Sequence, residues 1–190
     1  MKNLPAVPKP SNPELFDQPI GEIQTILKAE LPWLNYAFGE AQTLVRVKDK
    51  AKFAYPAVHI RNAEYESVLP DQKLGNFSFF VLEGSQNVDF DKHTTSLLKV
   101  RYGLVFWFNL DSVFADDPDR RINKIEADIL KILIRKNFLK TGRLTVDKVQ
   151  TKAEAIFKGY DLKEVDSQYL MQPFGGLRFE GELIFRETNV

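Results

Sequence analysis

Two runs of alternating residues, 99–110 and 176–186, lie on either side of one amphipathic segment, and this arrangement restricts the fold more than any other feature of the chain. In the second run Leu177, Phe179, Gly181, Leu183 and Phe185 share one side and Arg178, Glu180, Glu182 and Arg186 the other, with only Ile184 out of step. A period of two lets a strand bury one face and wet the other, so this run predicts a half-buried antiparallel strand. In the first run Val100, Tyr102, Leu104, Phe106, Phe108 and Leu110 share a face, while the opposite face carries Val105 and Trp107 among Lys99, Arg101 and Asn109. That second face is too apolar for open water. It requires cover, either from a loop of the same chain or from another subunit.

The segment between the runs is a helix by spacing: Ile122, Ile125, Ile129, Ile132 and Leu133 form one buried stripe. Asp117 is expected as its N-cap, Pro118 in its first turn and Asp119 against its dipole. Lys131, Arg135 and Lys136 complement the C-terminal end, expected near Asn137, and Gly142 is a stop signal. A second, earlier helix begins near Gly21, carries Ile23, Ile26, Leu27 and Leu31, and ends at Pro32. Strands are expected over 41–48 and 53–61, with the turn at 48–52 and with Pro56 forcing an edge or a bulge, and over 77–83. Residues 144–150 and 168–174 read as further strands, and 153–160 as a short helix or turn. The polar stretches 62–76 and 84–95 read as two long loops.

The expected fold is therefore α+β: a mainly antiparallel sheet with two principal helices on one side, spanning residues 20–190 as a single domain. Half of the ten prolines (Pro5, Pro8, Pro10, Pro13, Pro19) fall within residues 1–19, which are expected to form an extended arm. Such an arm either hugs its own domain or reaches over a neighbour, with Leu4, Val7, Leu15 and Phe16 as anchors. Fifteen phenylalanines, many of them in predicted strands, favour a core built on a sheet.

Charge and chemistry narrow the function classes. With 26 basic and 26 acidic residues the net charge is zero, so no global attraction to nucleic acid or anionic membrane is expected. The chain contains no cysteine, which excludes disulfides, thiolate metal sites and a cysteine nucleophile and fits synthesis in a reducing compartment. No run approaches the roughly 18 apolar residues of a membrane helix, and residues 1–10 do not resemble a signal peptide. The protein is read as cytoplasmic when made.

His59 and His93 lack zinc spacing. The acidic groups Asp89 with Asp91, and Asp116 with Asp117 and Asp119, are better explained by a polar loop and a helix start than by a metal. There is no phosphate-binding, dinucleotide or serine-hydrolase signature, and the Gly175–Gly176 pair precedes a strand. No catalytic residue, cofactor or metal is expected, and the chain is read as a non-enzyme. Two basic groups, Arg46, Lys48, Lys50 and Lys52, and Lys131, Arg135, Lys136, Lys140 and Arg143, leave a small nucleic-acid-binding domain as the alternative.

Three stretches, FAYPAVHI at 53–60, KVRYGLVFWF at 99–108 and FGGLRFEGELIFRE at 174–187, together with the element order, resemble the tail-terminator and head–tail joining proteins of tailed bacteriophages. The resemblance spans roughly 21–187. It implies a virion component, made in the bacterial cytoplasm, that forms a six- or twelve-fold homo-oligomeric ring against adjacent connector or tail proteins. DNA would meet such a ring only as passing genome, and no membrane is implied. The arm and the two long loops depart from a minimal member. A closed ring needs two different complementary patches on each copy. The arm, the loops and the outer strand face supply the expected interface residues: Leu4, Val7, Phe16, Tyr65, Leu69, Phe90 and Trp107.

Overall fold

A computed structural model describes residues 4–61, 64–90, 96–115 and 122–187. The fold is α+β, as expected. Helix α1 (Asp17–Glu30) leads into β1 (Tyr36–Lys48), β2 (Ala51–Arg61), β3 (Glu64–Ser67), β4 (Phe77–Phe90) and β5 (Ser96–Asn109). A short α2 (Leu110–Val113) and the long α3 (Ile122–Arg135) follow, then β6 (Gly142–Leu144), β7 (Lys148–Gln150), α4 (Ala153–Ile156), a 3-10 turn at Ser167–Leu170 and β8 (Phe174–Glu187). Among the described residues the strands form one sheet in the order β3-β2-β1-β4-β5-β8-β6, with β7 also on β8. The β1–β4 pairing is parallel and the others are antiparallel.

The two alternating runs are the centre of this sheet. β5 and β8 pair along their whole length, from Ser96 opposite Glu187 to Asn109 opposite Phe174. Their shared apolar face, with Tyr102, Leu104, Phe106, Leu177, Phe179 and Leu183, is covered by Ile20, Ile23 and Leu27 of α1 and Ile125, Ile129 and Leu133 of α3. Both principal helices thus lie on one side. Ile125, Ile129, Ile132 and Leu133 at helical spacing bring one stripe of α3 onto the sheet, and burying each such side chain contributes about 1.5–3 kcal/mol.

The other face carries a second core. Val105, Trp107, Phe77 and Phe79 are covered by Ile156 and Phe157, by Phe38, Val58 and Ile60 of the β1–β2 pair, and by Val68 and Leu74. Of the two expected covers for Val105 and Trp107, the structure supplies the chain's own: the Trp107 ring meets Phe157 edge-on at 5.6 Å. Trp107 is therefore a core residue. Phe16 is one as well, packed at 6.3 Å against Phe185, so neither of these expected interface residues is available at the surface of the folded chain.

Several boundaries move, each for a local reason. α1 starts at Asp17, so the last residues assigned to the arm are helical. Residues 62–76 are not all loop: β3 pairs with β2 through Ala57–Ser67 and His59–Tyr65, and as an outermost strand it needs no apolar face. Residues 84–95 likewise contain the second half of β4, which resumes pairing at Asn87–Lys99 after an irregularity beyond Glu83. Its polarity reflects exposure on both sides.

The single strand expected over 144–150 is two short strands on the outer edge of β8, interrupted around Gly181. In place of the strand expected over 168–174 the chain forms the 3-10 turn Ser167–Leu170, capped by Asp166, whose carboxylate accepts from Gln168 N at 3.2 Å, and β8 begins at Phe174. β5 stops one residue early because Asn109 caps α2, its Oδ1 accepting from Asp111 N at 2.9 Å. Pro56 sits opposite Thr43, just where the β2–β3 pairing ends, as an edge proline should. The expected cap of α3 at Asp117 and Pro118, and Asp116 and Asp119 beside them, lie outside the described residues, as do Asp91 and His93.

One polar cluster is built into the second core. Arg178 of β8 is fully buried and lies across Gly103 of β5 to reach Glu83 of β4. Its Nε donates to Glu180 at 3.0 Å and its Nη1 to the Ile156 carbonyl at 3.1 Å. A buried cation needs such a set of acceptors to offset its lost hydration.

Candidate interaction surface at the strand fork

The parallel ladder between β1 and β4 is short. It runs from Tyr36–Phe77 to Glu40–Phe80, with one extra β1 residue between Ala37 and Glu40. That bulge lets Phe38 and Ala41 both enter the second core. Beyond Glu40 the sheet forks: β1 continues with β2 as a two-stranded ribbon, and β4 continues as the outer strand of the β4-β5-β8 part of the sheet.

The β1–β2 ribbon is paired from Ala41–Val58 out to Lys48–Ala51. Its turn is Asp49–Lys50, with φ of 51° and 66°, the left-handed pair that matches the twist of a tight hairpin. Near the tip Val45 is 57% exposed and Val47 65% exposed. The ribbon is braced by the 161–164 segment. Glu164 holds Arg46 and lies 3.4 Å from Lys48, Arg46 rests over the Tyr55 ring, and Asp161 N donates to the Ala54 carbonyl at 2.8 Å.

At the root of the fork Asp17 and Glu40 come together between two hollows. One, about 290 Å³, is lined by Pro8, Pro10, Gln42, His59 and Tyr65 as well as the two acids. The other, about 400 Å³, is lined by Glu14, Leu15, Leu82, Gly84 and Gln86 with the same pair. Burial, and then the nearby Asp17 charge, raises the Glu40 pKa above its ordinary 4.5. The folded chain therefore holds the Glu40 proton more tightly than the unfolded chain does. Stability falls as pH rises through the range just above that ordinary value, and at neutral pH the ionised side chain is a net cost. Glu83, Glu30, Asp147 and Glu164 are each matched by an arginine, whereas Glu40, Asp17 and Glu14 form no ion pair among the described residues.

The expected interface residues divide sharply. Tyr65 is 48% exposed, lines the fork and meets His59 edge-on. Val7 packs partly buried against the first core and Leu4 against the second. The described part of the arm thus lies on its own domain, where the Ala6 carbonyl accepts from Ala37 N at 2.8 Å. Leu69 is half-buried just after β3. Phe90 ends β4, but its side chain lies outside the described residues. Asp17, Glu40, Val45 and Val47 were not singled out for a contact role, because neither the bulge nor the fork has a sequence signature.

Both basic groups are partly matched by the chain's own carboxylates. Arg46 and Lys48 share Glu164, Arg135 meets Glu30 at 2.7 Å, Lys131 lies 3.6 Å from Asp128, and Arg143 stacks on Phe138. Phe138 and Ile134, 73% and 65% exposed, form a second apolar patch at the end of α3, beside these cations. Among the described residues no three His, Asp or Glu side chains converge as a metal would require, and no helix is long and apolar enough to cross a membrane. No protein-family model matches the chain, and comparison with curated proteins found no match.

Proposed function

We propose that this chain is a non-catalytic structural subunit that assembles with copies of itself into a ring, in the manner of the tail-terminator and head–tail joining proteins of tailed bacteriophages, and so belongs in a virion. The observation that carries the reading is the β1–β2 ribbon. An isolated two-stranded hairpin is marginal in water, so a long ribbon with exposed valines gains by lying on something. Its eight residues from Ala41 to Lys48 extend about 27 Å at strand spacing. With Val45 and Val47 exposed near its tip, that length gives an adjacent copy a surface to pack on.

Head-to-tail closure also needs a second, different patch on each copy. The exposed ribbon and the fork are two such patches. Replacing residues 45–54 by Asn-Gly keeps the Leu44–Tyr55 pair and every core residue. The shortened protein is expected to melt within a few degrees of the intact one but to remain a monomer by light scattering. Assembly equal to that of the intact chain would contradict the proposal.

A further inference from the structure

We infer that the fork at Glu40 is the receptor for the ribbon tip of a second copy, with Lys50 and Lys52 entering between Asp17 and Glu40. This rests on the ring reading above and names the two patches that meet.

Three observations select the occupant. Where β1 and β4 part, each has one edge that pairs with no strand among the described residues: β1 beyond Glu40 and β4 beyond Phe80. Unpaired edges invite an added segment, and a narrow ribbon can approach the gap where β1 and β4 diverge. The fork also holds carboxylates that form no ion pair among the described residues, Glu14, Asp17 and Glu40, the last two half-buried. Lys50 and Lys52 at the tip form no ion pair among the described residues, where Glu164 meets Arg46 and Lys48. Cations without carboxylates on one patch and carboxylates without cations on the other are complementary, and such complementarity sets orientation and rejects wrong pairings.

The competing destination on a second copy is the Ile134–Phe138 patch, and charge argues against it. Arg143 stacks on Phe138, and Lys131, Arg135, Lys136 and Lys140 lie within a few sequence positions of the patch at the end of α3, so a basic tip would meet like charge there. The raised Glu40 pKa agrees with the choice, because a docked lysine would stabilise the ionised form that burial disfavours.

The absence of native cysteine makes the test direct. Within one chain Glu40 and Lys50 are ten strand residues apart, roughly 30 Å, far beyond the ~7 Å that a disulfide can bridge. A disulfide between these positions must therefore join two copies. An affinity-tagged Lys50→Cys protein is mixed with untagged Glu40→Cys protein under mild oxidation and resolved on a non-reducing gel, with Gln42→Cys as a second, solvent-exposed fork position and Ile134→Cys as the comparison. The expected result is a mixed dimer at either fork position, at least tenfold above the Ile134→Cys mixture, and a ladder of multiples when Lys50→Cys and Gln42→Cys are in one chain.

Mixed dimer no stronger at both fork positions than at Ile134, from protein that still assembles, overturns the docking while leaving the ring reading in place. Unsubstituted protein that remains monomeric at the same concentration overturns both.

Discussion

Replacing Arg178 by alanine is expected to lower stability by about 3–5 kcal/mol, the range for removing one partner of a buried charge cluster. At this chain length that is a fall of roughly 10 °C or more in melting temperature. The loss is large because two carboxylates are left behind: Glu83 and Glu180 are 29% and 14% exposed at the side chain, so water replaces the guanidinium only in part. The Ile156 carbonyl loses its donor as well.

The cluster also explains Gly103. A methyl group there would lie 2.2 Å from Arg178 Nη2 and 2.3 Å from its Cζ, against a side chain held at three points. Gly103→Ala is therefore expected to destabilise the native protein by about 1–3 kcal/mol, but to cost much less in the Arg178→Ala background, where the space is vacant. Denaturant melts of the four proteins measure the coupling. Additive losses would show that Gly103 is needed for some other reason.

Gly181→Ala is expected to cost about 3 kcal/mol, the upper end for overpacking. The added carbon would lie 1.9 Å from the Thr145 carbonyl oxygen and 2.7 Å from its carbon. These are backbone atoms, held by Thr145 N to the Glu182 carbonyl and by the Tyr102 hydroxyl, which donates to Thr145 O at 2.7 Å. The strand edge must move away and leave the buried Tyr102 hydroxyl without its acceptor. Hydrogen exchange locates the effect: the Thr145 and Asp147 amides, both bonded to β8, should lose protection first, while the β4–β5 ladder keeps its own. Uniform loss of protection would argue for global unfolding instead.

These two glycines show what a sequence pattern can and cannot reveal. Gly181 falls on the apolar face of an alternating strand, so its placement was legible, but the close approach of Thr145 depends on a β8 edge shared by two three-residue strands. Arg178 reads as a wet residue by alternation; it is buried because α4 and Phe157 cover the second face of the sheet, and that cover is a tertiary fact. Trp107 and Val105 were legible as needing cover, and the chain supplies it.

The central sheet and α1 and α3 were readable because their residues repeat with periods that burial on one side requires. β3 and the outer half of β4 were not, because strands wet on both faces carry no apolar signal. The fork was hidden for a related reason: Glu40 sits at a bulge, and a bulge is set by which ladder ends where. Tyr65, expected at an interface as part of the 62–76 loop, does line the fork, whereas Phe16, expected as an anchor of the arm, belongs to the core.

The proposed role requires self-assembly, and the mass of the purified chain in solution, by light scattering across concentration with negative-stain images of any large species, tests it most directly. A species several times the 21.9 kDa chain mass, closed and ring-shaped in the images, is the predicted result. A strict monomer at every concentration would contradict it.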